Sequence, residues 1–196
     1  SRGLGDVYKR QDYMGPFEIM PTKTQLATKA WCILFCDQVT RSVHTEVVTD
    51  MTTNTFLLAF RRLVSLKGVP SFIQSDCAKT YTSANRKLAQ LYRRIDEKKL
   101  QEEASKRQCE WRFSIPESPS SNGSVERLVA SVKKALFKTM ASTSRTDLVT
   151  LDTLFLECCA IVNSRPICRP ETMDKTTITP AMLCQNRDLS ALPLSL

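Results

Sequence analysis

Three acidic residues stand where the hydropathy pattern changes from one element to the next: Asp12, Asp76 and Glu126. Three carboxylates brought together without a histidine suit a hard cation with oxygen ligands, so Mg²⁺ or Mn²⁺ rather than zinc. Two such ions about 3.5–4 Å apart activate a nucleophilic oxygen and stabilise a leaving one in phosphoryl transfer. A basic row follows the third acid. Lys133 lies seven residues after Glu126 and so shares its helix face at 3.6 residues per turn, with Arg127, Lys134 and Lys138 on the neighbouring row. A carboxylate at a helix start, followed by lysines on the same side, reads as a metal ligand next to a phosphate-binding surface. The plainer reading of each part is that an acid in a first turn favours the helix dipole and that outer lysines are solvated. Asp37, Asp50 and Asp96 serve as controls, because they fall in turns or on a charged helix.

The elements that must position these acids are legible in order. Tyr8–Tyr13 reads as the end of a first strand, with Asp12 after it and Gly15-Pro16 as a breaker. Trp31–Cys36 is a near-continuous apolar run, as in a strand covered on both faces. Ser42–Val48 alternates, with Val43, Thr45 and Val47 on one side, and closes a hairpin with it. Thr52 or Thr53 caps a helix carrying Phe56, Ala59, Phe60, Leu63 and Val64, which Gly68 and Pro70 end. A short strand, Phe72–Gln74, leads to Asp76. Asn85–Lys106 reads as a helix facing inward with Leu88, Leu91, Tyr92 and Ile95, its polar second half projecting or disordered. Glu110–Ile115 is the fifth strand. Ser121 or Asn122 caps the Glu126 helix, whose apolar stripe is Val125, Leu128, Val129, Val132, Ala135 and Leu136. Asp147–Asn163 is a last long helix. The order gives an α/β fold, a mixed five-stranded sheet flanked by helices. If the first and fourth strands are neighbours, Asp12 and Asp76 share one sheet edge and the Glu126 helix closes over them.

Composition agrees with a polyanionic partner. The net charge is +8 and the pI about 9.2, which points to nucleic acid. No apolar run approaches the ~20 residues of a membrane span, so no membrane partner and an intracellular setting are expected. Eight cysteines invite a zinc or disulfide reading. No C-x-x-C pair exists and His44 is the sole histidine, so buried, reduced cysteines fit better. His44 itself reads as a satisfied strand histidine, and Trp111 and Phe113 as core. Residues 1–11 lack clean periodicity and are expected to be a junction scar or fragment edge. Residues 12–184 form the core and 185–196 a tail.

The blocks DYMGPF, AWCILFCDQVTRSVHTEVVTDMTTNTFLLAFRRLVSLKGVPSFIQSDCAKTY, CEWRFSIPESPSSNGSVERLVASVKKAL, LECCAIVNSRPI and TITPAML, in that order, resemble the integrase core of LTR retrotransposons. The BEL/Pao group fits best, with retroviral integrases as more distant relatives. The resemblance covers residues 12–184. It implies an RNase H-like fold and a DDE triad on Asp12, Asp76 and Glu126. It also implies Mg²⁺ (or Mn²⁺, two ions), retroelement DNA ends and target DNA as partners, a homo-multimer, and nuclear action reached through a cytoplasmic particle. The implied activity is DNA integration: 3′-end processing, then strand transfer. Lys133 and Lys134, with Arg127 and Lys138, would contact DNA. Two positions depart from the family pattern. Cys77-Ala78 stands where the family has Asn-Gly, and Gly123-Ser124-Val125-Glu126-Arg127 stands for Gly-Val-Trp-Glu-Arg. The first departure keeps an alternative open, a catalytically impaired integrase-derived module that binds DNA or a protein partner. An RNase H-type nuclease is a third reading, disfavoured by SPSSNGSVER.

Overall fold

The computed structural model describes residues 8–24, 26–75, 95–113, 123–140, 146–167 and 177–185. Five strands are present: β1 (Tyr8–Glu18), β2 (Lys29–Asp37), β3 (Val43–Val48), β4 (Phe72–Ser75) and β5 (Glu110–Phe113). The helices are α1 (Thr53–Lys67), α2 (Glu97–Ser105), α3 (Gly123–Met140), α4 (Leu148–Asn163) and α5 (Pro180–Gln185). The sheet order is β3-β2-β1-β4-β5. β1, β2 and β3 pair antiparallel, while β1, β4 and β5 pair parallel. The expected mixed five-stranded sheet flanked by helices is therefore the observed one.

Local chemistry explains the connections. At the β2–β3 turn the Asp37 carboxylate accepts the backbone N–H groups of Val39 and Thr40, both at 2.9 Å. Antiparallel strands need only this short link, whereas the parallel pairs require crossovers, supplied by α1 and by the segment containing α2. The Thr52 hydroxyl caps α1 by accepting from Thr55 N–H at 3.3 Å. Gly68, at φ 81°, ends the helix and returns its N–H to the Val64 carbonyl.

The sheet's alternation splits the core in two. Tyr13, Ile33, Phe35, Ile73 and Trp111 meet Phe56, Phe60 and Leu63 of α1 and Leu100 of α2. On the other face Met14, Cys32, Leu34, Cys36 and Val43 meet Leu128, Val132 and Leu136 of α3 and Leu151, Phe155 and Val162 of α4. The buried thiols include Cys159, whose burial pushes its pKa up to about 12, so it sits in the core as a neutral group. Cys32, Cys36, Cys109, Cys158 and Cys159 are all buried and outside any disulfide, as expected of reduced core cysteines, whereas Cys184 is exposed.

Three expectations change. Asp12 does not follow the first strand but lies inside it, because β1 runs on to Glu18 through an irregularity at Gly15-Pro16. Gly15 is required there: at φ 125° its missing Cβ would lie 3.1 Å from the Ala30 carbonyl oxygen. Secondly, Tyr8–Gln11, within the expected first strand, pair with β4, and Lys9–Gln11 also with β2, so these residues belong to the sheet rather than to a junction scar. Residues 1–7 lie outside the described residues. Thirdly, the polar stretch after Ile95 neither projects nor continues a helix from Asn85. Asp96 is extended and caps a separate helix, accepting Lys99 N–H at 3.1 Å. Its own N–H donates to the Thr53 hydroxyl at 2.8 Å, and Leu100 and Ala104 bury that helix against α1 and β5. The inward positions expected at Leu88, Leu91 and Tyr92, and the caps expected at Ser121 or Asn122, lie outside the described residues.

Candidate active site

The parallel register of β1 and β4 runs Tyr8–Phe72, Lys9–Ile73, Arg10–Gln74 and Gln11–Ser75. Asp12 is the next residue on β1. β1 and β4 are therefore neighbours, the condition on which the shared edge depended. Side chains alternate along a strand. Tyr13 belongs to the α1/α2 face and Met14 to the α3/α4 face, so Asp12 has the parity of Met14. Asp12 is thus half-buried on the face that α3 covers, and its carboxylate accepts the Tyr13 N–H at 2.7 Å. Glu126 occupies the fourth position of α3, one turn into the helix. α3 presses Leu128, Val132 and Leu136 into the core on that same face. Asp76 follows Ser75 directly in sequence and lies outside the described residues, as does the Glu126 side chain. Among the described residues no group of three His, Cys, Asp or Glu side chains is close enough to hold a metal ion.

The basic residues of α3 lie off its buried stripe. Arg127, Lys133, Lys134 and Lys138 are all exposed, as their spacing from Leu128 and Val132 demands. The control acids have local roles instead. Asp37 holds the hairpin turn, Asp50 accepts Thr52 N–H at 2.9 Å, and Asp96 caps α2. His44 is satisfied by Glu46, Nε2 to Oε1 at 2.9 Å, as a strand histidine should be. Trp111 is core, with its indole edge against Phe56 and Phe60; the Phe113 side chain lies outside what is described.

Sequence reasoning did not single out Ser75, Gln11 or the Trp111 indole N–H. Ser75 and Gln11 are each 3% exposed, and each directly precedes one of the two aspartates. The Trp111 Nε1–H donates to the Ser75 hydroxyl at 2.9 Å. The signal available was parity: residues next to Asp12 and Asp76 in a strand must face the opposite side of the sheet. A second concentration of titratable groups lies beside β3. Glu46 is paired with His44 and with Arg62 of α1, and Asp152 of α4 stands near them. Burial, then the Glu46 charge, raises the Asp152 pKa.

No family model and no curated protein sequence matches the chain. Solved structures do. A chain of the simian T-cell lymphotropic virus intasome, in complex with the PP2A regulatory subunit B56 gamma, superposes with a TM-score of 0.61 at 18% identity. That match covers 97% of this chain and 57% of the intasome chain, so this chain spans little more than half its length. The HTLV-2 integrase catalytic core domain in complex with magnesium gives 0.58 at 17% identity, over 93% of this chain and 99% of that one. The BIV integrase catalytic core gives 0.55 at 15% identity, over 93% and 95%. At such identities the likeness is one of architecture: the chain has the integrase-like, RNase H-type fold of retroviral integrase catalytic cores.

Proposed function

We propose that this chain is the catalytic core of a retroelement integrase, of BEL/Pao type, performing 3′-end processing and strand transfer by polynucleotidyl transfer. The observation that carries the reading is the Gln11–Ser75 register. It pairs the residue before Asp12 with the residue before Asp76, on a sheet whose Asp12 face is covered by the helix bearing Glu126. Asp12, Asp76 and Glu126 are the proposed catalytic and metal-binding residues. Their donor set fits the metal: all three are carboxylates, and Asp12 retains partial exposure. Two Mg²⁺ or Mn²⁺ ions held there would supply an activated attacking oxygen and a stabilised leaving oxygen.

The chain's own groups account for the rest. The Tyr13 N–H holds the Asp12 carboxylate in one orientation. Lys133, Lys134, Lys138 and Arg127 lie on the exposed side of α3 and bind phosphates of element ends and target DNA, fixing register without reading sequence. Action on a chromosome would take place in the nucleus, in a multimer. The HTLV-2 cores solved with magnesium in trimeric and dimeric forms support the metal and the multimer as expectations. Cys77-Ala78 favours the second reading, a non-catalytic module that keeps DNA or protein binding.

Strand transfer on oligonucleotide ends with Mg²⁺ or Mn²⁺ separates the two. The parent protein joins ends to target DNA, Glu126→Gln abolishes joining while DNA binding persists, and Asp96→Asn matches the parent because asparagine caps a helix as well as aspartate. DNA binding without any metal-dependent joining by the parent would select the non-catalytic module.

A further inference from the structure

We infer that the Trp111–Ser75 hydrogen bond is a positioning device for the proposed reaction, setting the end of β4 against β1 from behind the site. The inference rests on the reading of Asp12, Asp76 and Glu126 as the reacting set. Ser75 is the last described residue of β4, in register with Gln11 on one side and Phe113 on the other. Alternation from Ile73 turns it to the α1/α2 face, opposite to α3, where Trp111 lies. Neither side chain faces the Asp12 side of the sheet, so both act through the pairing of β4 with β1.

The bond has a rigid origin. The Trp111 ring is held edge-on by Phe56 at 5.2 Å and Phe60 at 5.5 Å, with interplanar angles of 73° and 78°. Both phenylalanines are fully buried on α1. The direction of the indole N–H is therefore fixed by helix packing, and tryptophan has one donor to give. Ser75 accepts it in a buried place where alanine would satisfy packing alone. A buried N–H left unmade is costly, so the bond holds Ser75 at one height relative to β5. Because Ser75 pairs with Gln11, that height also sets where β4 stands relative to Asp12. A carboxylate set shared by cations tolerates little displacement, since misplacement of about 1 Å can cost on the order of a hundredfold in rate.

The test breaks the bond from both ends. Ser75→Ala removes the acceptor, and Trp111→Phe removes the donor while keeping an aromatic ring between Phe56 and Phe60. Each variant is measured for Mn²⁺-dependent strand transfer at saturating DNA, for the DNA concentration at half-maximal rate, and for the Mn²⁺ concentration giving half the metal-induced rise in melting temperature without DNA. We expect each to slow transfer about tenfold or more. The DNA concentration should not change, the Mn²⁺ half-point should move upward, and the double variant should be no worse than the worse single, since both remove one interaction. A lower melting temperature with an unmoved Mn²⁺ half-point, or a Ser75→Ala protein that matches the parent, would overturn the inference while leaving the integrase reading intact. A parent that shows neither a metal response nor joining would overturn both.

Discussion

The two flanks of β1–β3 are finished in opposite ways. On the β3 side, the last strand of the sheet, α4 supplies a partner at every second residue. Asn163 accepts the Val43 N–H at 2.8 Å and donates to the Val43 carbonyl at 2.9 Å. Cys159 Sγ lies 3.2 Å from the Thr45 hydroxyl, and the Asp152 carboxylate bonds the Val47 backbone. The three helix positions, 152, 159 and 163, share one face at i, i+7 and i+11. An open strand edge is thereby kept from pairing with another chain. On the β4 side the described parallel ladder runs as far as Gln11–Ser75, and the next residue of β1 is a half-buried carboxylate. One flank uses its polar groups to close the fold. The other leaves a carboxylate, Asp12, half-buried beside β4, where part of it can still be reached.

That contrast predicts opposite phenotypes. Asp12→Asn should give the largest effect on activity, reducing strand transfer below detection and removing the metal-induced rise in melting temperature. Its stability without metal should stay within about 0.5 kcal/mol of the parent, as for substitutions that break no core contact. A metal response that survives Asp12→Asn would remove Asp12 from the site. Asn163→Ala should do the reverse. It strands a buried N–H and a carbonyl on Val43 and should cost about 2 kcal/mol or more by urea unfolding, while joining per folded molecule is retained. If both properties fell together, the separation of the flanks would be wrong.

Two smaller effects sharpen the picture. Lys133→Ala with Lys134→Ala should weaken DNA binding alike for all sequences, and should flatten the slope of log affinity against log salt by about 1.8. An unchanged slope would take both lysines out of the interface. The smallest effect belongs to Asp152. Its folded pKa is raised by burial and by Glu46, so the folded chain holds this proton more tightly than the unfolded one. The resulting stability is present below the unfolded carboxylate pKa and is lost as pH rises through the folded value. Asp152→Asn keeps an oxygen for the Val47 N–H and removes the charge beside Glu46. Its melting temperature should lie slightly above the parent's at neutral pH and match it in acid, read from melting curves across the acid range.

Much of this organisation is legible in the sequence. The α1 boundaries follow from Thr52 and Gly68, and the absence of disulfides among the described cysteines follows from their spacing, five of the six being buried. The control acids Asp37, Asp50 and Asp96 have the local turn and cap roles that their sequence context predicts. The α2 helix was misread because its buried stripe is two residues, Leu100 and Ala104, among charges. Two points give periodicity too little to detect, and the cap at Asp96 depends on Thr53, 43 residues earlier. Asp12 was placed after its strand because Gly15-Pro16 is a breaker by local rules; in the sheet the irregularity is absorbed and pairing resumes at Phe17.

The sequence by itself determined which segments are strands and helices and which residues alternate together. It did so because caps, turns and periodicity act over a few neighbouring residues. Only the tertiary structure decided that β1 and β4 are partners, that Asp12 lies on the α3 side, that α4 lines β3, and that Trp111 reaches Ser75 across 36 positions. Alternation divides a strand's residues into two sets but does not say which set meets which helix. That choice is made by packing between segments far apart in the chain, where loop-closure entropy has to be overcome by burying both faces of the sheet at once.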